Sequence, residues 1–372
     1  MADDDGAMGA AGDALGRQEW PDGIRALRAF VAGSEGPVIY ACSSTYTTFM
    51  ALVLLLSFGD RARSAVVMYS DSKNEIAVYE RMRERLAGLG VRGYVVDKHT
   101  KLHRLVGLSD SDNYRVFRSC LDDLRADKYG YDLVNLSWNQ QIVRYPSSIY
   151  YQFCRSSYFV EEGATVYLTP NDSLGYLLLK IFYGNQYGFW KDDKLVGMAV
   201  QRPQNYAPYL HEKMAKLDMA RLAAGIADKT RGELADVCFD DEVRRSVRLL
   251  RDETDGVIFT QPLSEDGYVS EAEKIAIYDE LMRYYARYGR VTLKLHPRDT
   301  STYGVDAGRV ANGSFPSEMT SFLGIRYKFA VGLCTSAIEG TDADVALNIA
   351  PNFLFDKKYA MIPLETVTRR KD

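Results

Sequence analysis

Apolar residues in this chain recur in short unbroken runs. Each run is followed by a polar turn and then by a stretch in which apolar positions return every three or four residues. The first run, Val38-Ile39-Tyr40-Ala41-Cys42, has no polar face, as befits a strand covered on both sides. Ser43-Ser44-Thr45 breaks it, and residues 49–56 read as a helix. The same alternation predicts strands at 65–69, 93–97, 133–136 and 158–160, with helices at 75–89, 117–126 and 149–154 between them. Strands alternating with helices point to an α/β fold, a doubly wound domain with a parallel sheet and helices on both faces.

The period changes between residues 173 and 250. Residues 174–183 are apolar and aromatic, 184–190 are loop-like, and 209–250 are charged and mostly helical, which reads as the end of a first domain plus connecting helices. A second α/β pattern opens at Gly256. It predicts strands at 257–262, 290–295, 328–333 and 345–349, a helix at 271–288 and a short one at 315–323. Ser270 is placed to cap the longer helix, with Glu273 completing a capping box. The expected division is a disordered N-terminus over 1–22, an N-terminal α/β domain with its connecting helices over 23–250, and a C-terminal α/β domain over 251–372. A chain of 372 residues exceeds what one hydrophobic core ordinarily supports. Two doubly wound domains imply a cleft between them, where such folds hold their ligands.

Composition narrows the partners. A formal net charge of −4 provides no broad basic face, so no nucleic-acid partner is expected. The five cysteines are odd in number and lack a Cys-x-x-Cys pair, so neither a disulfide framework nor a zinc site is expected. The opening MADDDGAMGAAGDALG lacks the basic stretch and apolar core of a signal peptide, and residues 51–58 are too few to span a bilayer. A cytoplasmic location follows as the expectation, with peripheral contact to the inner face of the membrane left open. Lys180-Ile181-Phe182-Tyr183 could lie on such a surface, but no basic face accompanies it and core packing is the preferred reading. The 26 tyrosines suit sugar-binding surfaces as well as ordinary half-buried packing.

Three polar clusters share one position, the C-terminal end of a predicted parallel strand: Glu265-Asp266-Gly267, His296-Pro297-Arg298 and Thr335-Ser336. Strand ends on one edge of a parallel sheet face the same crevice. Pro297 stops the strand and leaves His296 at the rim. Lys294, His296 and Arg298 alternate, which on a continuing strand puts three cations on one face, an arrangement suited to phosphate. Arg298 and Asp299 could instead pair with each other. A helix starting at Ala337 would add free N–H groups beside the Thr335 and Ser336 hydroxyls, although the pair also reads as a plain N-cap. Glu265-Asp266 and Glu161-Glu162 are candidate general bases, and each is equally read as a solvated acidic turn. Glu318 is placed to hold a ribose diol or to serve as an early-helix acid. The pairs Asp3 and Asp5, Asp110 and Asp112, and Asp342 and Asp344 do not end an apolar strand, and no set has zinc spacing, so no metal is expected.

In order and spacing these motifs resemble the bacterial sialyltransferases of the two-domain GT-B type, most of all glycosyltransferase family 52, the lipooligosaccharide sialyltransferases. The likeness is carried by Phe259-Thr260-Gln261-Pro262, His296-Pro297-Arg298, Tyr303-Gly304 and Ser336-Ala337, and by Val160-Glu161-Glu162-Gly163. It implies two Rossmann-like domains facing a cleft, a CMP-sialic acid donor, and a galactose-terminated cell-surface glycan of lipooligosaccharide or capsule type as acceptor. It also implies inversion at the anomeric carbon, with neither metal nor other cofactor. On that likeness Asp266 or Glu265 is the base. His296 supports the departing CMP phosphate and Ser336 and Thr335 bind it, beside Arg298, Lys294 and Pro297, while Glu318 holds the ribose. The first-domain motif reads Glu-Glu-Gly where Asp is frequent in related families, which keeps Glu162 in play as the base. Family 52 also includes glucosyltransferases, so a hexosyltransferase using another sugar nucleotide is the first alternative. A non-catalytic glycan- or nucleotide-binding protein is the second, and a homodimer is left open.

Overall fold

The computed structural model describes residues 19–70, 73–97, 112–136, 149–161, 193–206, 208–315, 317, 319–338 and 340–367. Seven parallel strands form the first sheet: β1 (Val38–Cys42), β2 (Ser64–Ser70), β3 (Arg92–Asp97), β4 (Asp132–Leu136), β5 (Ser156–Val160), β6 (Leu195–Val200) and β7 (Met214–Lys216). Their spatial order is β3-β2-β1-β4-β5-β6-β7. The second sheet contains β8 (Gly256–Phe259), β9 (Val291–Lys294), β10 (Val310–Ala311), β11 (Tyr327–Gly332) and β12 (Ala343–Asn348), ordered β10-β9-β8-β11-β12 and again parallel throughout. In both sheets the order reverses beside the first strand, which opens a crevice at the carboxyl ends of β1 and β4 and of β8 and β11.

The helices that cover these sheets are α1 (Gly23–Ala32), α2 (Thr45–Phe58), α3 (Lys73–Gly88), α4 (Asp112–Leu124), α5 (Ile149–Phe153), α6 (Met219–Ala224), α7 (Asp228–Cys238), α8 (Asp241–Asp252), α9 (Glu271–Tyr285), α10 (Met319–Phe322) and α11 (Phe353–Asp356). Every residue of β1 and β2 is buried, as the unbroken apolar runs predict. The α2 helix starts four residues before the expected 49. Ser44 accepts the Thr47 N–H at 3.1 Å, and the Thr47 hydroxyl oxygen accepts the Ser44 N–H at 2.9 Å, a reciprocal cap that pins the first turn. Residues 49–56 of α2 are all buried, because a helix apolar on every side has no face to give to water. Ser270 and Glu273 form the capping box expected for α9.

Three strands were not foreseen. β7 and β10 have three and two residues, too few to show a period, and β6 carries Gly197 in its interior. β6 and β7 extend the first sheet, β7 within the stretch read as helical, and β10 forms an edge of the second sheet. The α8 helix packs toward the second sheet, where the Ser246 hydroxyl oxygen accepts the Asn312 N–H at 2.9 Å. The two sheets share an apolar layer in which Phe49 of α2 meets Phe322 of α10 edge-on, 5.2 Å between centroids. Among the described residues no helix is long and apolar enough to cross a membrane. Residues 180–183 lie outside the described residues.

Candidate active site

The carboxyl ends of the two sheets face each other across a cavity of about 380 Å³. On the first-sheet wall stand Ser44, Thr45 and Tyr46, which follow β1, and Glu75, which opens α3 after β2. The second-sheet wall is built from the turns after β8, β9 and β11. Thr260 and Gln261 come from the first of these, His296, Pro297 and Arg298 from the second, and Cys334, Thr335 and Ala337 from the third. Ser317 completes it.

His296 is held at its backbone and at one ring nitrogen. Its backbone N–H donates to the Thr260 hydroxyl oxygen at 2.9 Å, and the Arg298 backbone N–H donates to its Nδ1 at 3.1 Å. With Nδ1 accepting, the neutral ring carries its proton on Nε2, the nitrogen left for a ligand. Burial, then the charges of Arg298 and Lys294, bring the imidazole down to about 4, against the opposing pull of Asp299 and Asp266. At neutral pH His296 is therefore an uncharged Nε2–H donor. Behind it the chain passes so close that a Cβ on Gly313 would lie 2.5 Å from the His296 carbonyl oxygen.

Thr335 sits in a tight turn. Gly332 ends β11 and touches that turn, where a Cβ would stand 2.1 Å from the Thr335 methyl carbon and 2.9 Å from Ile338 Cγ1. Cys334 takes a left-handed conformation with φ 47°, a strain that the surrounding contacts must hold. The Thr335 hydroxyl oxygen accepts the Ala337 N–H at 3.2 Å, and its carbonyl accepts from the Asn348 side-chain amide at 3.2 Å. The helix expected from Ala337 is a single 3-10 turn, Ser336–Ile338, too short to supply a macrodipole. The Ser336 side chain, Glu162 and Glu318 lie outside the described residues.

The remaining sequence candidates are placed differently. The strand β9 ends at Lys294, so the alternation with His296 and Arg298 does not continue. Lys294 is fully buried, donates to the carbonyls of Leu295 at 2.8 Å and Phe315 at 2.9 Å, and lies 4.0 Å from the centre of the Phe315 ring. Its charge serves carbonyls behind the wall. Arg298 does not pair with Asp299; its guanidinium makes two bonds to Asp266, at 2.7 and 2.9 Å. Glu265 is taken by Lys274. Burial would raise Glu265, but hydrogen bonds from Lys274 and the Thr300 N–H outweigh it and hold the carboxyl at about 2. Neither Asp266 nor Glu265 is among the residues that line the cavity, and Asp266 is joined to it through Arg298.

On the first-sheet side, Glu161 follows β5 and is 4% exposed, with one carboxylate oxygen accepting the Gln201 N–H at 2.7 Å. Glu75 accepts from the Thr45 hydroxyl at 3.2 Å and from the Ser70 hydroxyl. Glu75 was absent from the sequence candidates. The available signal was its place, the first helical turn after the second strand of a doubly wound sheet. Asp342 and Asp344 pair with Arg326 at 3.9 and 2.9 Å, at the strand-start edge opposite the cavity. Among the described residues no three His, Cys, Asp or Glu side chains gather as a metal site would require.

The family model described as alpha-2,8-polysialyltransferase (POLYST) matches residues 156–318. That segment runs from before the Glu161-Glu162 pair to beyond His296-Pro297. An uncharacterized protein of Haemophilus influenzae is 31% identical over 83 residues, covering 22% of this chain and 27% of that protein, so the match spans about a quarter of the relative's length. Two solved structures share the fold. The α/β-galactoside α-2,3-sialyltransferase of Photobacterium phosphoreum aligns over 86% of this chain and 93% of that one, with TM-score 0.52 and 10% identity. The 2,6-sialyltransferase of Photobacterium sp. JT-ISH-224, solved with CMP and lactose, aligns over 83% and 70%, with TM-score 0.50 and 7% identity. The two facing Rossmann-like sheets are the GT-B arrangement. The GT-B fold expected from motif order stands, and the family model that matches is likewise one of sialyltransferases.

Proposed function

We propose that this enzyme moves sialic acid from CMP-sialic acid to a hydroxyl of a galactose-terminated cell-surface glycan, with inversion and without a metal. The observation that supports it is the convergence of His296, Arg298 and Thr335 on one wall of the cavity, opposite Ser44, Thr45 and Glu75 on the other. A departing CMP phosphate gains negative charge as the glycosidic bond breaks. The Nε2–H of His296, the Arg298 guanidinium and the donors of the Thr335 turn would stabilise that charge where it develops. In an inverting displacement the nucleophile arrives opposite the leaving group. The group that takes the acceptor's proton therefore belongs on the first-sheet wall.

Asp266 and Glu265 fit that role poorly, since both come off the same wall as His296 and both are committed to a cation. Glu161 follows β5 on the first-sheet side, and with Glu162 it belongs to the segment that matches the family model. Our reading gives that pair the proton and gives Glu75 the task of orienting acceptor hydroxyls. Glu318 would hold the CMP ribose and Ser336 would share the phosphate with Thr335.

The test is nucleotide release from CMP-sialic acid, UDP-hexoses and GDP-hexoses with lactose as acceptor. Sialyl-lactose runs in parallel because the matching family model is that of the alpha-2,8-polysialyltransferases. CMP release dependent on acceptor is the expected result. Release of UDP or GDP alone would make the chain a hexosyltransferase, and no release from any donor would leave a binding protein.

A further inference from the structure

Behind the second-sheet wall lies a buried ionic cluster. Lys274, on α9, has a fully buried side chain, and its ammonium donates to both carboxylate oxygens of Glu265 and to Oδ1 of Asp299, each at 2.8 Å. Glu265 belongs to the loop after β8 and Asp299 to the loop after β9, the two loops that bring Gln261 and His296 to the cavity. More bonds cross between the same loops. The Thr300 N–H donates to Glu265 Oε1 at 2.9 Å, and Arg298 grips Asp266. The second oxygen of Asp299 accepts the Tyr303 hydroxyl at 2.7 Å, and the Asp299 N–H closes the turn onto the His296 carbonyl at 2.9 Å.

Such a cluster is a poor device for stability alone. Taking Lys274 and Asp299 out of water, with Glu265 left partly exposed, offsets much of their attraction, and apolar residues of the same size often serve the core as well. What charged hydrogen bonds supply is short, directional geometry. A single cation bonded to carboxylates on two different loops sets the distance between those loops.

We propose that Lys274 is the positioning residue of the nucleotide wall: by tying Glu265 to Asp299 it holds the loops after β8 and β9 in register and so sets where His296 and Arg298 meet the departing phosphate. This inference rests on the phosphate-side role given to His296 above. It also gives Glu265 a function, as an anchor of this clasp.

K274M alone strands two carboxylates and can unfold the chain. The deciding variant is therefore K274M/E265Q/D299N, which removes all three charges at nearly constant volume. It should fold cooperatively, while the amides of residue 296 and residues 298–301 exchange with deuterium about tenfold faster than in the parent protein. Turnover should fall about 10–100-fold with a raised KM for CMP-sialic acid and an unchanged KM for acceptor, the signature of a displaced nucleotide wall. A folded triple variant with parental exchange at those amides, or with parental kcat and donor KM, would overturn the proposal. So would a triple variant that cannot fold, since the cluster would then be a stability element. If the parent protein itself releases no CMP, sialyl transfer fails as a function, and the exchange comparison alone still decides the clasp.

Discussion

Replacing His296 by Gln tests the electrostatics of the site without any substrate. In the folded chain the imidazole stays neutral down to about 4, because burial disfavours its charged form and Arg298 and Lys294 add to that. In the unfolded chain it protonates near its ordinary value of 6.5. Between those two values the unfolded state binds a proton that the folded state refuses, so folding stability falls as pH drops from 6.5 toward 4 and levels off below. The interval corresponds to about 3 kcal/mol at full development. Glutamine keeps an N–H donor near the Nε2 position and does not titrate, so H296Q lacks this loss. Urea unfolding of both proteins, at pH steps of about one between 7 and 4, isolates it, because the carboxylates that titrate in the same range are common to the two. The gap in unfolding free energy should move by about 3 kcal/mol against the parent protein on acidification. Parallel curves would refute the neutral, desolvated imidazole, and the opposite slope would mean an imidazolium in the folded state. Bound CMP brings negative charge to His296 and favours its protonation, so saturating CMP should flatten the parent's pH dependence.

Four further outcomes follow from the geometry. K294M deprives two buried carbonyls of their donor and should cost about 1–3 kcal/mol in urea unfolding with donor KM little changed; a selective loss of CMP affinity would return Lys294 to the nucleotide. G332A drives a methyl group into Thr335 and Ile338, so the turn must shift; about 1–3 kcal/mol of lost stability and weaker CMP binding in a thermal-shift titration are expected, and an unchanged CMP response would detach that turn from the site. Excess EDTA should leave CMP release unchanged, and a loss restored by added magnesium would contradict metal independence. E161Q and E162Q should separate the base from its neighbour. The base variant should lose about 10²–10⁴-fold in kcat while retaining CMP binding, whereas equal activity in both would move the proton to another group.

What the sequence determined on its own was what local patterning can encode. Runs such as Val38-Ile39-Tyr40-Ala41-Cys42 are apolar without relief because both faces of a parallel strand are covered, and the structure buries all five. The capping box at Ser270 and the break at Pro297 are short-range chemistry, readable within four residues. The rim position of His296 followed from the same logic, since strand ends of a parallel sheet share an edge. The sequence was silent where one residue's role depends on a partner far along the chain. Glu265 and Asp266 look like catalytic acids until Lys274 and Arg298 are seen to hold them. Lys294 looks like a phosphate ligand until the strand ends beneath it and two carbonyls take its ammonium. Glu75 acquires a role only when the second sheet closes over it and makes a wall into a cavity. A charged side chain takes its meaning from what neutralises it, and pairing across 32 residues, as between Arg298 and Asp266, is decided by how the loops pack.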